Sequence, residues 1–158
     1  MAGLNLTYTI DLSRLSLALE HIENDVNNEL RLALKESLRD VQHYARQNHD
    51  FESHSHKLEQ AINYDIGPDG LSGRVFIDET LAPYGKWVHD GTKEHFVRPR
   101  NARALHWVEG GNEFFSSGHE VSGITADPFL INALLAQDSN IMTRINNAID
   151  KVLREAGL

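Results

Sequence analysis

The sequence predicts an α+β fold: a mostly antiparallel sheet packed against a long N-terminal helix and a C-terminal helix, in a single domain over 1–158. Three observations carry that expectation. Apolar residues recur every three or four positions from Leu15 to Ala45, and again from Phe129 to Leu153, which is the period of an amphipathic helix. Between these stretches, short alternating runs broken by Gly, Pro, Asn and Asp read as strands and turns. A length of 158 residues with 41% hydrophobic and 24% charged side chains is enough to bury a core without covalent staples.

Leu4, Leu6, Tyr8 and Ile10 alternate with Asn5, Thr7, Thr9 and Asp11, so the chain is expected to begin with a half-buried strand. Asp11 or Ser13 offers a helix cap, and Leu15, Leu19, Ile22, Val26, Leu30, Leu34, Leu38, Val41 and Ala45 form the stripe of a helix over about 12–47. At about 1.5 Å per residue that helix is about 50 Å long, more than a small sheet covers. Part of the stripe, at Ile22, Val26, Leu30 and Leu34, is therefore a candidate contact with a neighbouring subunit; the same residues read equally well as core.

The segment 49–57 is polar and without period, and is expected to be a mobile loop. Its His54 and His56, with His49 and His43, offer imidazoles of the kind that bind zinc or nickel. No His-Glu-x-x-His spacing accompanies them and no bulky apolar residues would preorganise a site, so they read as exposed loop histidines. No metal and no cofactor is expected.

A sheet region is expected over 58–121. Leu58 to Ile66 starts with helical spacing and changes to the strand period; Gly67-Pro68-Asp69-Gly70 is a turn, and Leu71 to Asp78 returns as the partner strand. Tyr84, Trp87 and Val88 then share one side of a short helical turn, predicted to hang its aromatics on the core, and Asp90-Gly91 stops it where φ > 0 is easiest. His95 to Arg100 and Ala104 to Val108 read as short strands, followed by the turn Gly110-Gly111-Asn112 and the run Glu113 to Val121. Pro128 suits the first turn of a closing helix over 128–156, in which Asp138-Ser139-Asn140 reads as a fresh cap or a kink.

Several functions are disfavoured by composition. The formal net charge of -8 argues against a duplex-binding domain, whose affinity comes from neutralising phosphates. With no cysteine there are no disulfides and no thiolate ligands or nucleophiles, and no run approaches the roughly 18 apolar residues of a membrane span. The N-terminus shows no basic region followed by an apolar stretch, so no secretory signal is expected. Neither Gly-x-Ser-x-Gly nor a phosphate loop is present, and Asp78-Glu79 and Glu109 with Glu113 read as solvated acids; no catalytic residue is expected. An alternative, nucleic-acid binding, would rest on Lys93, Arg98, Arg100 and Arg103 interleaved with Phe96 and Trp107.

The ordered set Tyr84, Trp87, Gly91-Thr92, Val97-Arg98-Pro99-Arg100, Arg103-Ala104-Leu105, Gly110-Gly111 and Pro128-Phe129-Leu130 resembles the neck or tail-completion proteins of long-tailed bacteriophages. It covers about the last two-thirds of the chain. The family commonly has His-Pro-Gly before the closing Pro-Phe-Leu, where this chain has Val121-Ser122-Gly123-Ile124. It often shows Thr-Gly-x-Leu-x-x-Ser-Ile at Ser55 to Ile62, of which Leu58 and Ile62 match and the Gly does not. The resemblance implies a non-enzymatic virion protein that forms a ring, most simply a hexamer, between the head-closure or adaptor ring and the tail terminator or tail tube. Arg98, Arg100 and Arg103 would face an acidic partner, Tyr84, Trp87, Gly91, Thr92, Pro128 and Phe129 would be structural, and the acidic channel wall would let genomic DNA slide.

Overall fold

In the computed structural model, which describes residues 23–155, the two apolar stripes become two long helices packed side by side. Helix α1 (Glu23–Gln47) buries Val26, Leu30, Ala33, Leu34, Leu38, Val41 and Ala45 along one face. The last helix, α4 (Phe129–Glu155), answers with Phe129, Leu130, Ala133, Ile141, Ile145, Ala148 and Val152. They run antiparallel, because Lys151 Nζ meets Glu29 at 2.5 Å while Arg144 meets Asp40 at 2.6 Å and Glu36 at 3.3 Å. The Arg144 guanidinium also donates to Ser37 Oγ at 3.2 Å, and that hydroxyl donates to Ala33 O at 2.7 Å, so the buried Ser37 side chain is satisfied.

Between the long helices, α2 (Lys57–Ala61) leads directly into β1 (Ile62–Ile66), which pairs antiparallel with β2 (Gly73–Ile77) in the register Ile62↔Ile77 to Ile66↔Gly73. The hairpin lays Ile62, Val75 and Ile77 on α1. Gly73 is needed there, since a Cβ would run into the Leu38 side chain. The Ile62 carbonyl accepts from Gln42 (2.8 Å) and Arg46 (2.6 Å), tying the strand start to the last turns of α1. In the turn, Asp69 Oδ1 accepts the Leu71 and Ser72 amides and the Ser72 hydroxyl, with Gly70 at φ 70.

Helix α3 (Gly85–Asp90) follows, then β3 (His95–Val97), β4 (Leu105–Glu109), β5 (Asn112–Ser116) and β6 (His119–Val121). The α+β class and the antiparallel pairing agree with the sequence expectation, but the single sheet does not. The described strands form three separate two-stranded ribbons, β1–β2, β3–β6 and β4–β5. The closing helix also runs unbroken through Asp138-Ser139-Asn140, which lie on its exposed side and need no cap. The expected strand at 4–10, the expected helical turns at 12–22 and Ile22 lie outside the described residues.

Candidate assembly surface

The region between the hairpin and α4 is built differently from the rest. Every buried hydrophobic side chain among the described residues lies in 26–82 or 129–152, and none lies between. Tyr84, Trp87, Phe96, Phe114 and Phe115 are all exposed, Trp107 is only half-buried, and Val108 and Ile124 are open as well.

Helix α3 shows how this arises. Its inward residues are Gly85 and His89, one turn apart; a Cβ on Gly85 would come within 2.7 Å of Ile77 and Leu58. This rotates Tyr84 and Trp87 outward, Trp87 to 50% exposure, correcting the expectation that they hang on the core. Gly91 ends the helix at φ 72, as the sequence predicts, and a Cβ there would meet the backbone of Ile124 and Ala126. His89 is 2% exposed, holds Asp90 Oδ1 through Nδ1 at 2.9 Å and stands edge-on to the Phe129 ring; its Nε2 has no partner among the described residues.

Thr92 fixes the next segment, donating its amide to Ile124 O at 2.9 Å and accepting the Ile124 amide on Oγ1 at 3.0 Å. Between Trp87, Thr92 to His95 and Val121 to Ile124 lies a mostly apolar cleft of about 600 Å³. From the other end of the short β3–β6 pair, β4 and β5 project as an arm with the turn Gly110-Gly111, both at φ > 0, and make no extensive contact with either long helix. Side chains alternate across this arm. On one face Trp107 stacks on Phe114 (5.5 Å) and tilts against His119 (4.8 Å), anchoring the arm at its root. The other face carries His106 stacked on Phe115 (4.7 Å), with Val108 and Glu113 beside them, all exposed.

Of the residues singled out in the sequence, Arg98, Arg100 and Arg103 are exposed in the loop between β3 and β4; Arg98 lies over the Phe96 ring, and Arg100 and Arg103 have no ion-pair partner among the described residues. Val26, Leu30 and Leu34 are not an exposed stripe: each is at most 1% exposed, because α4 covers the face that the sheet was expected to leave open. Phe129 is fully buried, and Pro128 stands immediately before α4, one residue ahead of the helix start expected to include it. Lys93 rims the cleft with Glu94 and His95.

The loop 49–57 is not free-standing. The buried Asp127 carboxylate accepts the Asp50 and Phe51 amides at 2.6 and 2.9 Å, Phe51 stacks on His49, and its ring meets Phe129 edge-on. The first residues of the loop are thus tied to the mouth of α4, where an acidic side chain supplies the acceptor that their amides lack. His49 and His56 both approach Glu59 Oε1, at 3.7 and 3.2 Å, and His54 points to solvent; no group of three or more His, Asp or Glu among the described residues is arranged to hold a metal ion. Burial pushes the Glu59 carboxyl up, but hydrogen bonds from Ser53, its own amide and His56, together with the His56 charge, outweigh it and hold it below the usual range.

The sequence reading missed Phe115, Val108 and Ile124 as a surface. Adjacent aromatics in a strand point to opposite faces, so Phe114-Phe115 already required one ring to turn away from any one-sided core. No described helix is long and apolar enough to cross a membrane. Comparison of the chain with protein-family models, with curated proteins and with solved structures returned no match.

Proposed function

We propose that the chain is a non-enzymatic structural protein of a phage virion that forms a ring, most simply of six copies, at the head–tail junction. Its work is mechanical: it joins or completes the tail and leaves a channel for DNA. The observation that carries this reading is the open region 83–128, which displays aromatic rings while all the core lies elsewhere. Exposed Trp87, Phe96, Phe114 and Phe115 within one region support its use as a contact surface. The ordered motifs that resemble the neck proteins run through the same region, from Tyr84 to Leu130. Arg98, Arg100 and Arg103 give the assembly a basic edge for an acidic adaptor or terminator ring, and the net charge of -8 keeps the channel from gripping the genome.

Light scattering after size exclusion, with negative-stain microscopy of the concentrated fractions, tests the reading. A closed annulus with a central hole is the expected result. A monomer at all concentrations that binds oligonucleotides tightly and in a salt-sensitive way would replace it with the nucleic-acid reading based on Lys93, Arg98, Arg100 and Arg103.

A further inference from the structure

The segment between α1 and α2 meets one carboxylate oxygen from both of its ends. His49 Nε2 stands 3.7 Å from Glu59 Oε1 and His56 Nδ1 stands 3.2 Å from it. Between them Glu52 and His54 lie in solvent, 4.0 Å apart. Beneath, Phe51, Leu58, Tyr84 and Val88 line a hollow of about 70 Å³, and Leu58 itself is 3% exposed. The backbone here is strained. His56 has φ 53, the one positive φ at a described residue other than glycine, and it precedes α2 without a side-chain cap. Its Nδ1 is held by Glu59 and by Ser53 Oγ at 3.3 Å.

Hydrogen positions decide what His49 can do. Its Nδ1 lies 3.2 Å from the Phe51 carbonyl oxygen, which only accepts, so Nδ1 carries a hydrogen. In the neutral ring Nε2 is then a bare lone pair, and it faces Glu59. Burial pushes the Glu59 carboxyl up, but hydrogen bonds from Ser53, its own amide and His56, with the His56 charge, hold it below the usual range, so it is ionised and accepts only. An imidazolium is the form of His49 that places an N–H on both neighbours. His56 differs, since a single N–H at Nδ1 meets Glu59 in either charge state, and its side chain is 73% exposed. Among the described residues Glu59 is the one carboxylate within 4.0 Å of His49. Nearby groups are engaged elsewhere: Arg46 donates to Ile62 O, Asp127 accepts the Asp50 and Phe51 amides, and His89 holds Asp90. The side chains of Asp50 and Lys57 are exposed.

We propose that residues 52–56 form a pH-dependent strap latched through His49 and Glu59, closed over the hollow beside Leu58 and Val88 when His49 is an imidazolium and loosened when it is neutral. Imidazole changes charge between about pH 5 and 8, so the latch works in that range. The contact favours the charged ring, and its contribution is therefore present on the acid side and lost as pH rises. Below about pH 4 it is lost again as Glu59 takes up a proton.

Trypsin cleavage of the bond between Lys57 and Leu58 reads the opening, because Lys57 is exposed but Leu58 is buried and the bond is cut from the open segment. Initial rates are divided by those of a free peptide covering 50–62 at the same pH. In the parent chain that ratio should rise about 3- to 5-fold from about pH 6 to about pH 8.5, the factor an ion pair of this kind supplies. Glu59→Gln keeps the side-chain shape without the charge, and His49→Gln removes the titrating ring. Both should be cut faster than the parent at the lower pH, with a ratio that no longer depends on pH. His54→Gln, whose ring is in solvent, should follow the parent. Cleavage after Arg39, within α1, reports global unfolding and should be the same in all four chains. A flat ratio in the parent, or the parent's pH profile persisting in Glu59→Gln or in His49→Gln, overturns the latch.

Discussion

The two halves of this molecule treat their apolar residues in opposite ways. In the helical half, α1, α4 and the β1–β2 hairpin close on one another, so that Leu30, Leu34, Ala61, Ile62 and Phe129 lose all contact with water. In the ribbon half, aromatic residues pair in twos, Trp107 with Phe114 and His106 with Phe115, and stay at the surface. Composition does not account for this, because the ribbon half is at least as rich in aromatics. The difference is geometric. A two-stranded ribbon has two faces and no second layer, and with nothing packed on it only one face can be partly covered by its own root. Intramolecular packing therefore completes the helical half and leaves most rings of the ribbon half at the surface.

Substitutions should divide along the same line. The largest effect on the isolated chain is expected for Phe129→Ala, which empties a fully buried site against Phe51 and His89 and should lower unfolding free energy by about 3–5 kcal/mol in denaturant titration. Asp127→Ala should follow, at about 2 kcal/mol, because two amides at Asp50 and Phe51 lose a charged acceptor. Hydrogen exchange at those two amides should accelerate while the centre of α1 is unchanged.

A smaller effect should appear with acid. The Leu71 amide, then the Ser72 hydroxyl and amide, hold Asp69 below the usual carboxylate range despite some desolvation, and the Thr80 hydroxyl and amide do the same for Asp78. Carboxyls depressed in this way, Glu59 included, contribute stability that is present above about pH 4 and is lost as pH falls through their folded values. All three lie in the helical half, at Glu59, Asp69 and Asp78. The acid limb of a stability–pH curve should therefore flatten in Asp69→Ala, and a limb of unchanged slope would contradict the assignment. The smallest effect on monomer stability is expected for Phe115→Ser, within about 0.5 kcal/mol, since its ring is mostly in water already. A large loss there would mean that the arm is part of the core.

Much of the helical half could be read from sequence because a 3.6-residue period encodes burial directly. Val26, Leu30, Leu34, Leu38 and Val41 fall on one face whatever covers them, and Gly67-Pro68-Asp69-Gly70 allows little but a turn. The identity of the covering element was not legible. Periodicity marks a face as apolar but not whether α4 or another subunit lies on it, so Val26, Leu30 and Leu34 suited both. The orientation of α3 was hidden for a related reason. Tyr84 and Trp87 have the right spacing for a face, but the side that approaches the core is set by the absent Cβ of Gly85, which hydrophobicity does not register. Loop 49–57 looked free because its anchor, Asp127, lies far along the chain. At the candidate surface, Arg98, Arg100 and Arg103 were found from charge alone, whereas the cleft depends on bringing Thr92 beside Ile124, a pairing with no local signal.

The central claim, that the ribbon half is completed by another copy, is met most directly by hydrogen exchange on the untagged chain at low and at high concentration. Amides of β4 and β5, and of the Thr92–Ile124 segment, should gain protection as concentration rises, while those of α1 between Leu30 and Val41 stay the same. Unchanged exchange in the arm and cleft, under conditions where light scattering reports an assembled species, would contradict it.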